Sequence, residues 1–301
     1  MHARTRVRLT SLALLLGVSA LAGDAHAFCR STTIEGDAGC GVCVDAGYPL
    51  AWEEPEMEYT FNERGFPGFS DDELSQVFSA GFQPWQVVTC DGEGVQIQAR
   101  RADGTTDLGP RDAGIQPTVN VMGFLTAEEW IDQRFDTHAF AQTGVRFFNG
   151  SGVIAGADIW FNGGIGTFTI CPIEGCKDGK VDLPNVATHE IGHFFGLAHS
   201  DVEGATMACD APAGETEKRS LHPDDRAGLC AIYPPELAFR GPYEQGAWTQ
   251  TESGDSCSLR APAETRGSTQ LWTGLGLLLW FSWRRRKSGG RKLARPRTLA
   301  R

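Results

Sequence analysis

The sequence predicts an α+β domain followed by a polar stretch. Segments with strand character are grouped before residue 170, and two helical patterns follow toward residue 233. This order is typical of α+β proteins, whereas strands and helices alternate in α/β proteins. Residues 51–235 are long enough to bury a sizeable core. No internal repeat divides them, so we expect one folded unit.

Five segments are predicted to be strands, because their apolar and polar residues alternate or because glycine interrupts a short apolar run. They are residues 57–62, 94–100, 118–122, 153–162 and 166–170. We expect these strands to form the sheet of the domain.

The first helix is predicted to begin at a capping box, in which Ser70 and Glu73 satisfy each other's backbone N–H groups. Apolar residues then recur at three- and four-residue spacing, which predicts a core-facing helix to about Gln83. They are Leu74, Val77, Phe78, Phe82 and Trp85.

Two more helices are predicted in the last third of the domain. One begins near Asp182 and has Pro184 in its first turn, where a missing N–H is harmless. The other begins near Pro223 and ends before Tyr233. Both follow the strands, which favours the α+β class.

Residues 1–27 are predicted to be a secretory signal peptide. Three arginines precede an apolar run, and Ala25-His26-Ala27 offers a cleavage site before Phe28. All nine cysteines follow that site, and an oxidising compartment would allow most of them to pair. Residues 28–50 are rich in Cys and Gly, so we expect a disulfide-stapled segment there.

The carboxyl-terminal part divides into a polar linker, 236–268, and a terminal segment, 269–301. The terminal segment contains an apolar run, 271–283, and then a basic cluster. The run is short for a membrane span, but its tryptophans and basic end favour a membrane element over a buried helix. The arrangement resembles a bacterial sorting tail of the myxobacterial type, with Cys257 as its cysteine. We therefore expect this span to lie in a membrane or to be read by a sorting protease.

The charge of the chain excludes some classes of partner. The formal net charge is −11, and two basic clusters lie in the signal peptide and the tail, so the domain is strongly acidic. An acidic surface disfavours nucleic acid and anionic membranes. A plain turn is the favoured interpretation of the segment with Asp178 and Asp182, and a structural calcium ion held by these residues is the alternative.

Three histidines and a glutamate form a candidate metal site. His189 and His193 are four residues apart, so on a helix they extend from the same face. Glu190 follows the first histidine, where its carboxylate can hold a metal-bound water. Gly196 stands where the helix should end, and its freedom to take a positive φ would let the chain turn back toward His199.

This pattern predicts a catalytic zinc site. Three protein ligands leave the fourth position of a tetrahedral ion open, whereas structural zinc sites are usually closed by a fourth ligand. A chance cluster of histidines is the alternative. Five residue types at fixed offsets make such a coincidence rare.

The segment His189–His199 matches the metzincin zinc motif HExxHxxGxxH. The chain resembles the matrixin branch of that group, because Ser200 follows the third histidine and Met207 stands where a methionine turn is expected. Segments 80–85, 157–159 and 224–229 also resemble matrixin elements.

The resemblance implies a metzincin-like catalytic domain, with a twisted mixed β-sheet, an active-site helix and a C-terminal helix. It implies a secreted or surface-anchored bacterial zinc endopeptidase that acts on proteins or peptides, with His189, His193 and His199 as metal ligands and Glu190 as the general base. One catalytic zinc ion and a monomeric protein are expected. An extended substrate is expected to pair with an edge strand within residues 153–170. The alternatives are a non-catalytic surface module with the same fold and a zinc amidase acting on cell-wall substrates.

Overall fold

The computed structural model describes residues 28–34, 42–44, 46–114, 119–235 and 248–250. The strands are β1 (Glu56–Asn62), β2 (Thr89–Cys90), β3 (Glu93–Gly94), β4 (Gln98–Thr106), β5 (Val121–Leu125), β6 (Ala141–Phe148), β7 (Ile154–Asn162), β8 (Phe168–Thr169), β9 (Val181–Asp182) and β10 (Trp248–Gln250). The helices are α1 (Asp71–Gln86), α2 (Pro110–Gly114), α3 (Ala127–Asp132), α4 (Leu183–Phe194) and α5 (Pro223–Ile232), with a 3-10 turn at Glu217–Arg219.

A six-stranded mixed sheet lies at the centre of the fold, in the order β10-β6-β7-β5-β1-β4. Strands β4, β1, β5 and β7 are parallel to one another, whereas β6 is antiparallel to β7 and to β10. Strand β7 lies inside the sheet and is almost entirely buried, which explains its near-continuous apolar sequence. The predicted α+β domain with a mixed sheet is confirmed, and α4 and α5 begin where the sequence predicts.

Helix α1 extends beyond its predicted end at Gln83 and contains Pro84. The capping box forms as expected, with the Ser70 N–H donating to Glu73 Oε2 at 2.8 Å. Proline lacks an N–H, so the helix loses one backbone hydrogen bond at this point. The buried indole of Trp85 donates to the Thr188 carbonyl oxygen on α4 at 3.0 Å. This tertiary contact between α1 and α4 keeps the last turn helical.

Two predicted strands are displaced along the chain. The segment predicted at 94–100 is replaced by β4. Val95, Ile97 and Ala99 are buried in alternation, which explains the predicted start, but the first two of these residues lie before the strand. The segment predicted at 118–122 is replaced by β5, which begins at Val121.

Strand β6 and helix α3 were not predicted. Strand β6 is buried on both faces, so it lacks the alternation that marks a strand. Helix α3 does carry a sequence signal, since Thr126 and Glu129 form a capping box.

The substrate-pairing edge predicted within residues 153–170 is wrong for β7, the long strand of that range. Strand β7 pairs with β5 on one side and with β6 on the other, so its backbone hydrogen-bonding groups serve the sheet. The neighbouring strand β6 lies farther out, and β10 pairs with its residues Arg146–Phe148. The prediction failed because the order of strands in this sheet differs from their order in the chain.

Cysteines are paired within the described part of the chain. The disulfides are Cys29–Cys43, Cys90–Cys230 and Cys171–Cys176, and Cys209 is disulfide-bonded as well. The bond between Cys90 and Cys230 joins the hairpin after α1 to the final helix α5. The expectation that cysteines pair is confirmed for these residues.

The predicted signal peptide 1–27 and the terminal segment 269–301 lie outside the described residues. Strand β10 falls within the predicted polar linker 236–268, whose other residues are also outside. Among the described helices, none has the length and apolar character needed to cross a membrane.

Candidate metal centre and active site

Helix α4 begins at a well-anchored N-cap. The Asp182 carboxylate accepts from the Asn185 N–H at 2.9 Å and from the Cys171 N–H at 2.8 Å. It also accepts two hydrogen bonds from Arg219 at 2.6 and 2.7 Å. Asp182 was a candidate calcium ligand, and its carboxylate caps the helix and pairs with Arg219. The cap fixes the first turn of the helix that carries His189.

The chain reverses direction after α4 at Gly196. This residue has a φ of +93°, and the Leu197 N–H donates to the Gly192 carbonyl oxygen at 3.0 Å, as in a Schellman motif. A Cβ at Gly196 would lie 2.5 Å from the backbone oxygen of Leu50. Glycine is therefore required here both by the φ angle and by the close backbone approach.

The amino-terminal segment pairs with this turn, which the sequence did not indicate. The Ser31 N–H donates to the Gly196 carbonyl oxygen and the Ala198 N–H donates to the Cys29 carbonyl oxygen, each at 2.9 Å. The disulfide between Cys29 and Cys43 anchors this segment. The backbone directly before His199 is thus held by residues near the beginning of the described chain.

The three histidines come together as the sequence predicts. Ring centroids lie 4.8 Å apart for His189 and His193, 4.8 Å for His193 and His199, and 5.3 Å for His189 and His199. Their ligand atoms lie within 4.8 Å of one another, and within the described residues this is the group of side chains that could hold a metal ion.

Hydrogen bonds fix the tautomers of two of these histidines. The Nδ1 of His189 lies 2.6 Å from the Thr206 carbonyl oxygen, and the Nδ1 of His193 lies 2.8 Å from that of Leu197. A carbonyl only accepts, so each Nδ1 carries the proton. Burial lowers the pKa of His193 to about 4. Burial, together with the neighbouring histidines, lowers the pKa of His189 well below its usual value.

Both rings are therefore neutral at pH 7, and each Nε2 presents a lone pair. These two Nε2 atoms lie 3.1 Å apart, an unfavourable contact between two acceptors unless a cation lies between them. Two ligands of a tetrahedral zinc ion, each at about 2.0–2.1 Å, stand about 3.3 Å apart. The donor set and its spacing fit a zinc ion.

A methionine lies against the active-site helix. A Cβ at Gly192 would lie 2.2 Å from Met207 Sδ. The residue directly before His193 must therefore be small. The Ser200 N–H donates to the Met207 carbonyl oxygen at 2.9 Å. This contact closes the loop from the third histidine to the methionine.

Asp225, at the start of α5, holds the methionine turn and was not singled out from the sequence. Its carboxylate accepts from the N–H groups of Thr206 at 2.8 Å and Met207 at 2.9 Å. Asp225 is fully buried. It lay within a segment that resembled a matrixin helix, but its partners depend on a contact between distant parts of the chain.

Glu190 is fully buried on α4, beside the histidine cluster. The Thr143 hydroxyl on β6 donates to Glu190 Oε2 at 2.6 Å, and the Glu190 carbonyl oxygen lies 3.2 Å from the same hydroxyl. No sequence signal marks Thr143, because its role depends on strand β6 packing against α4.

This combination of a mixed sheet, a helix with two of three clustered histidines, a glycine turn to the third and a methionine turn defines a domain of the metzincin class. The chain belongs to the matrixin family, whose sequence model matches residues 51–234.

Several characterised proteins are similar to this chain. Metalloendoproteinase 2-MMP of Arabidopsis thaliana is 27% identical over 222 residues, which cover 70% of this chain and 51% of the relative. Neutrophil collagenase of Homo sapiens is 27% identical over 204 residues, covering 64% of this chain and 37% of the relative. Metalloendoproteinase 1-MMP of Arabidopsis thaliana is 43% identical over 68 residues, covering 23% and 18%. The chain thus spans about half the length of these relatives, or less.

Proposed function

We propose that this protein is a zinc-dependent endopeptidase that hydrolyses peptide bonds in protein or peptide substrates. His189, His193 and His199 would hold one zinc ion, and Glu190 would act as the general base. The observation that carries the proposal is the convergence of two neutral imidazole lone pairs 3.1 Å apart, beside a third imidazole and a buried carboxylate.

Bound zinc supplies a Lewis acid and lowers the pKa of water toward about 7. The Glu190 carboxylate follows a proposed metal ligand directly in the chain, and it would stand beside a bound ion without ligating it. From there it accepts the proton of the attacking water and returns that proton to the nitrogen of the leaving amine. The backbone carbonyls that accept from His189 and His193 hold both rings in the tautomer that binds a metal.

We propose that the substrate binds as an additional strand along β6. Thr143 of β6 contacts Glu190, so this strand lies next to the general base. Among the described residues, β10 pairs with Arg146–Phe148, which leaves the outer edge of Ala141–Val145 for a substrate. Backbone pairing of this kind supplies affinity independently of side chains.

The ends of the sequence support an exported protein at the surface of a bacterium. The proposed signal peptide directs export, and the proposed carboxyl-terminal span provides the attachment. The disulfides of the domain are consistent with an oxidising compartment. We propose that the protein acts there as a monomer.

The test combines metal analysis with proteolysis. Purified processed protein is expected to contain one zinc ion per chain and to cleave a quenched casein substrate. A chelator should abolish cleavage, and added zinc should restore it. Glu190→Ala is expected to retain zinc and the unfolding temperature of the parent while losing cleavage.

Two outcomes would point to the alternatives. Bound zinc without cleavage of any member of a peptide library would indicate a non-catalytic module. Release of amide-linked products from cell-wall fragments, with casein left intact, would indicate an amidase. Persistent casein cleavage by Glu190→Ala would contradict the proposed mechanism.

A further inference from the structure

A single hydroxyl group connects the central sheet to the carboxylate of the active-site helix. Thr143 Oγ1 lies 2.6 Å from Glu190 Oε2, and both residues are buried. The two residues are 47 positions apart in the chain. A threonine hydroxyl has one proton to donate, and a carboxylate accepts it more strongly than a neutral carbonyl does.

We propose that Thr143 is a positioning residue, which fixes the carboxylate of Glu190 in its reactive orientation. The inference rests on the proposed role of Glu190 as the general base. A glutamate carboxylate rotates broadly about its last bond. A hydrogen bond to Oε2 defines the plane of the carboxylate and therefore the direction in which the group meets the attacking water.

Thr143 is suited to this task by its place in the fold. It pairs with Ile159 in the register of β6 and β7, so the sheet holds its backbone. Its side chain is β-branched, which restricts rotation about χ1. The hydroxyl is consequently delivered from a rigid strand rather than from a loop, as precise positioning requires.

A packing role is the competing explanation, because Thr143 also fills space between β6 and α4. Two substitutions separate the roles. Thr143→Val keeps the branched shape and removes the hydroxyl, whereas Thr143→Ser keeps the hydroxyl and removes a methyl group. If packing matters, the serine variant is impaired; if the hydroxyl matters, the valine variant is impaired.

The first measurement is steady-state cleavage of a peptide substrate by the full zinc-loaded protein. Thr143→Val is expected to lower kcat about 10- to 100-fold, with KM changed less than about twofold, because a misplaced base weakens the transition state but not substrate binding. Thr143→Ser is expected to retain kcat within about threefold. Zinc content should equal that of the parent in both variants.

The second measurement needs no activity. In zinc-free protein, Thr143→Val is expected to lower Tm by about 2–4 °C, because a buried carboxylate loses its donor. The same substitution in a Glu190→Ala background should lower Tm by less than half as much. Equal shifts in both backgrounds would mean that the hydroxyl does not act on the carboxylate.

The outcomes distinguish this inference from the function on which it rests. Parental kcat in Thr143→Val, or equal losses in the serine and valine variants, would overturn the positioning role. Activity in Glu190→Ala would instead overturn the role of the base. Should Thr143→Val fail to fold, Thr143→Ala provides the same comparison with a smaller side chain.

Discussion

His189 and Asp225 are connected through a single peptide group. The His189 Nδ1–H donates to the Thr206 carbonyl oxygen at 2.6 Å, and the Met207 N–H of the same peptide donates to Asp225 Oδ1 at 2.9 Å. The buried carboxylate polarises the peptide, which strengthens the acceptor that orients the imidazole. The final helix is thereby linked to the metal centre without a residue of α5 touching the metal position.

Replacing Asp225 with asparagine tests this connection. The aspartate accepts a hydrogen bond at each carboxylate oxygen, whereas asparagine has one oxygen and one NH₂ group. The NH₂ group would face a backbone N–H, which would then lack an acceptor. Zinc affinity should fall about 10- to 100-fold, as measured by competition with a chromogenic chelator. Asp72→Asn, at an exposed position in the first turn of α1, is the control and should leave the affinity unchanged.

Replacing Gly196 with alanine should destabilise the protein by about 2–4 kcal/mol, because a positive φ and a backbone overlap act together. Gly204→Ala separates these causes. Gly204 has a φ of +80° and nothing within 4 Å of a Cβ, so that variant should lose only about 1–2 kcal/mol. Urea unfolding provides both values, and equal losses would contradict the overlap with Leu50.

Removing the disulfide between Cys29 and Cys43 should weaken metal binding as well as stability. The bond closes a loop with a sequence separation of 14, and its loss is expected to cost about 3 kcal/mol. Because the Cys29 carbonyl oxygen accepts from the Ala198 N–H, zinc affinity should fall too. Removing the disulfide between Cys90 and Cys230 should lower Tm while the folded protein keeps its zinc affinity. Equal zinc affinities in the two variants would contradict this link.

The zinc-free protein should lose stability as the pH falls from about 6.5 to about 4. The pKa of His193 is lowered by burial to about 4 in the folded state, so the unfolded chain binds more protons across this range. Stability then rises with pH, by up to about 1.4 kcal/mol per pH unit for each such histidine. Burial and the neighbouring histidines also lower the pKa of His189, so this residue contributes a loss of the same sign. Chemical unfolding with chelator at several pH values checks the slope, and His193→Gln should flatten it.

The sequence predicts local features of this protein better than distant contacts. The N-cap at Asp182, the turn at Gly196 and the spacing of the histidines are encoded within one helix and the loop after it. The extension of α1 past Pro84 escaped prediction because Trp85 packs against another helix. Strand β6 escaped because both of its faces are buried.

The same reasoning applies to the candidate site. The four residues proposed from the motif come together, whereas Thr143 and Asp225 reach them from remote elements. A threonine in a strand and an aspartate at the start of a helix are common and do not mark a site. Only the order of strands in the sheet and the packing of α5 give Thr143 and Asp225 their partners. Such contacts cannot be read from one sequence, because no periodicity or spacing encodes them.

The pairing of the amino-terminal segment with the glycine turn has a consequence for biosynthesis. Ser31 Oγ donates to the Leu197 carbonyl oxygen across 166 positions, so this contact must wait until nearly the whole domain has been synthesised. Contacts between such distant segments slow the folding of a domain. The turn that delivers His199 therefore gains this support only after Leu197 has been synthesised, and a shorter nascent chain lacks the completed histidine cluster.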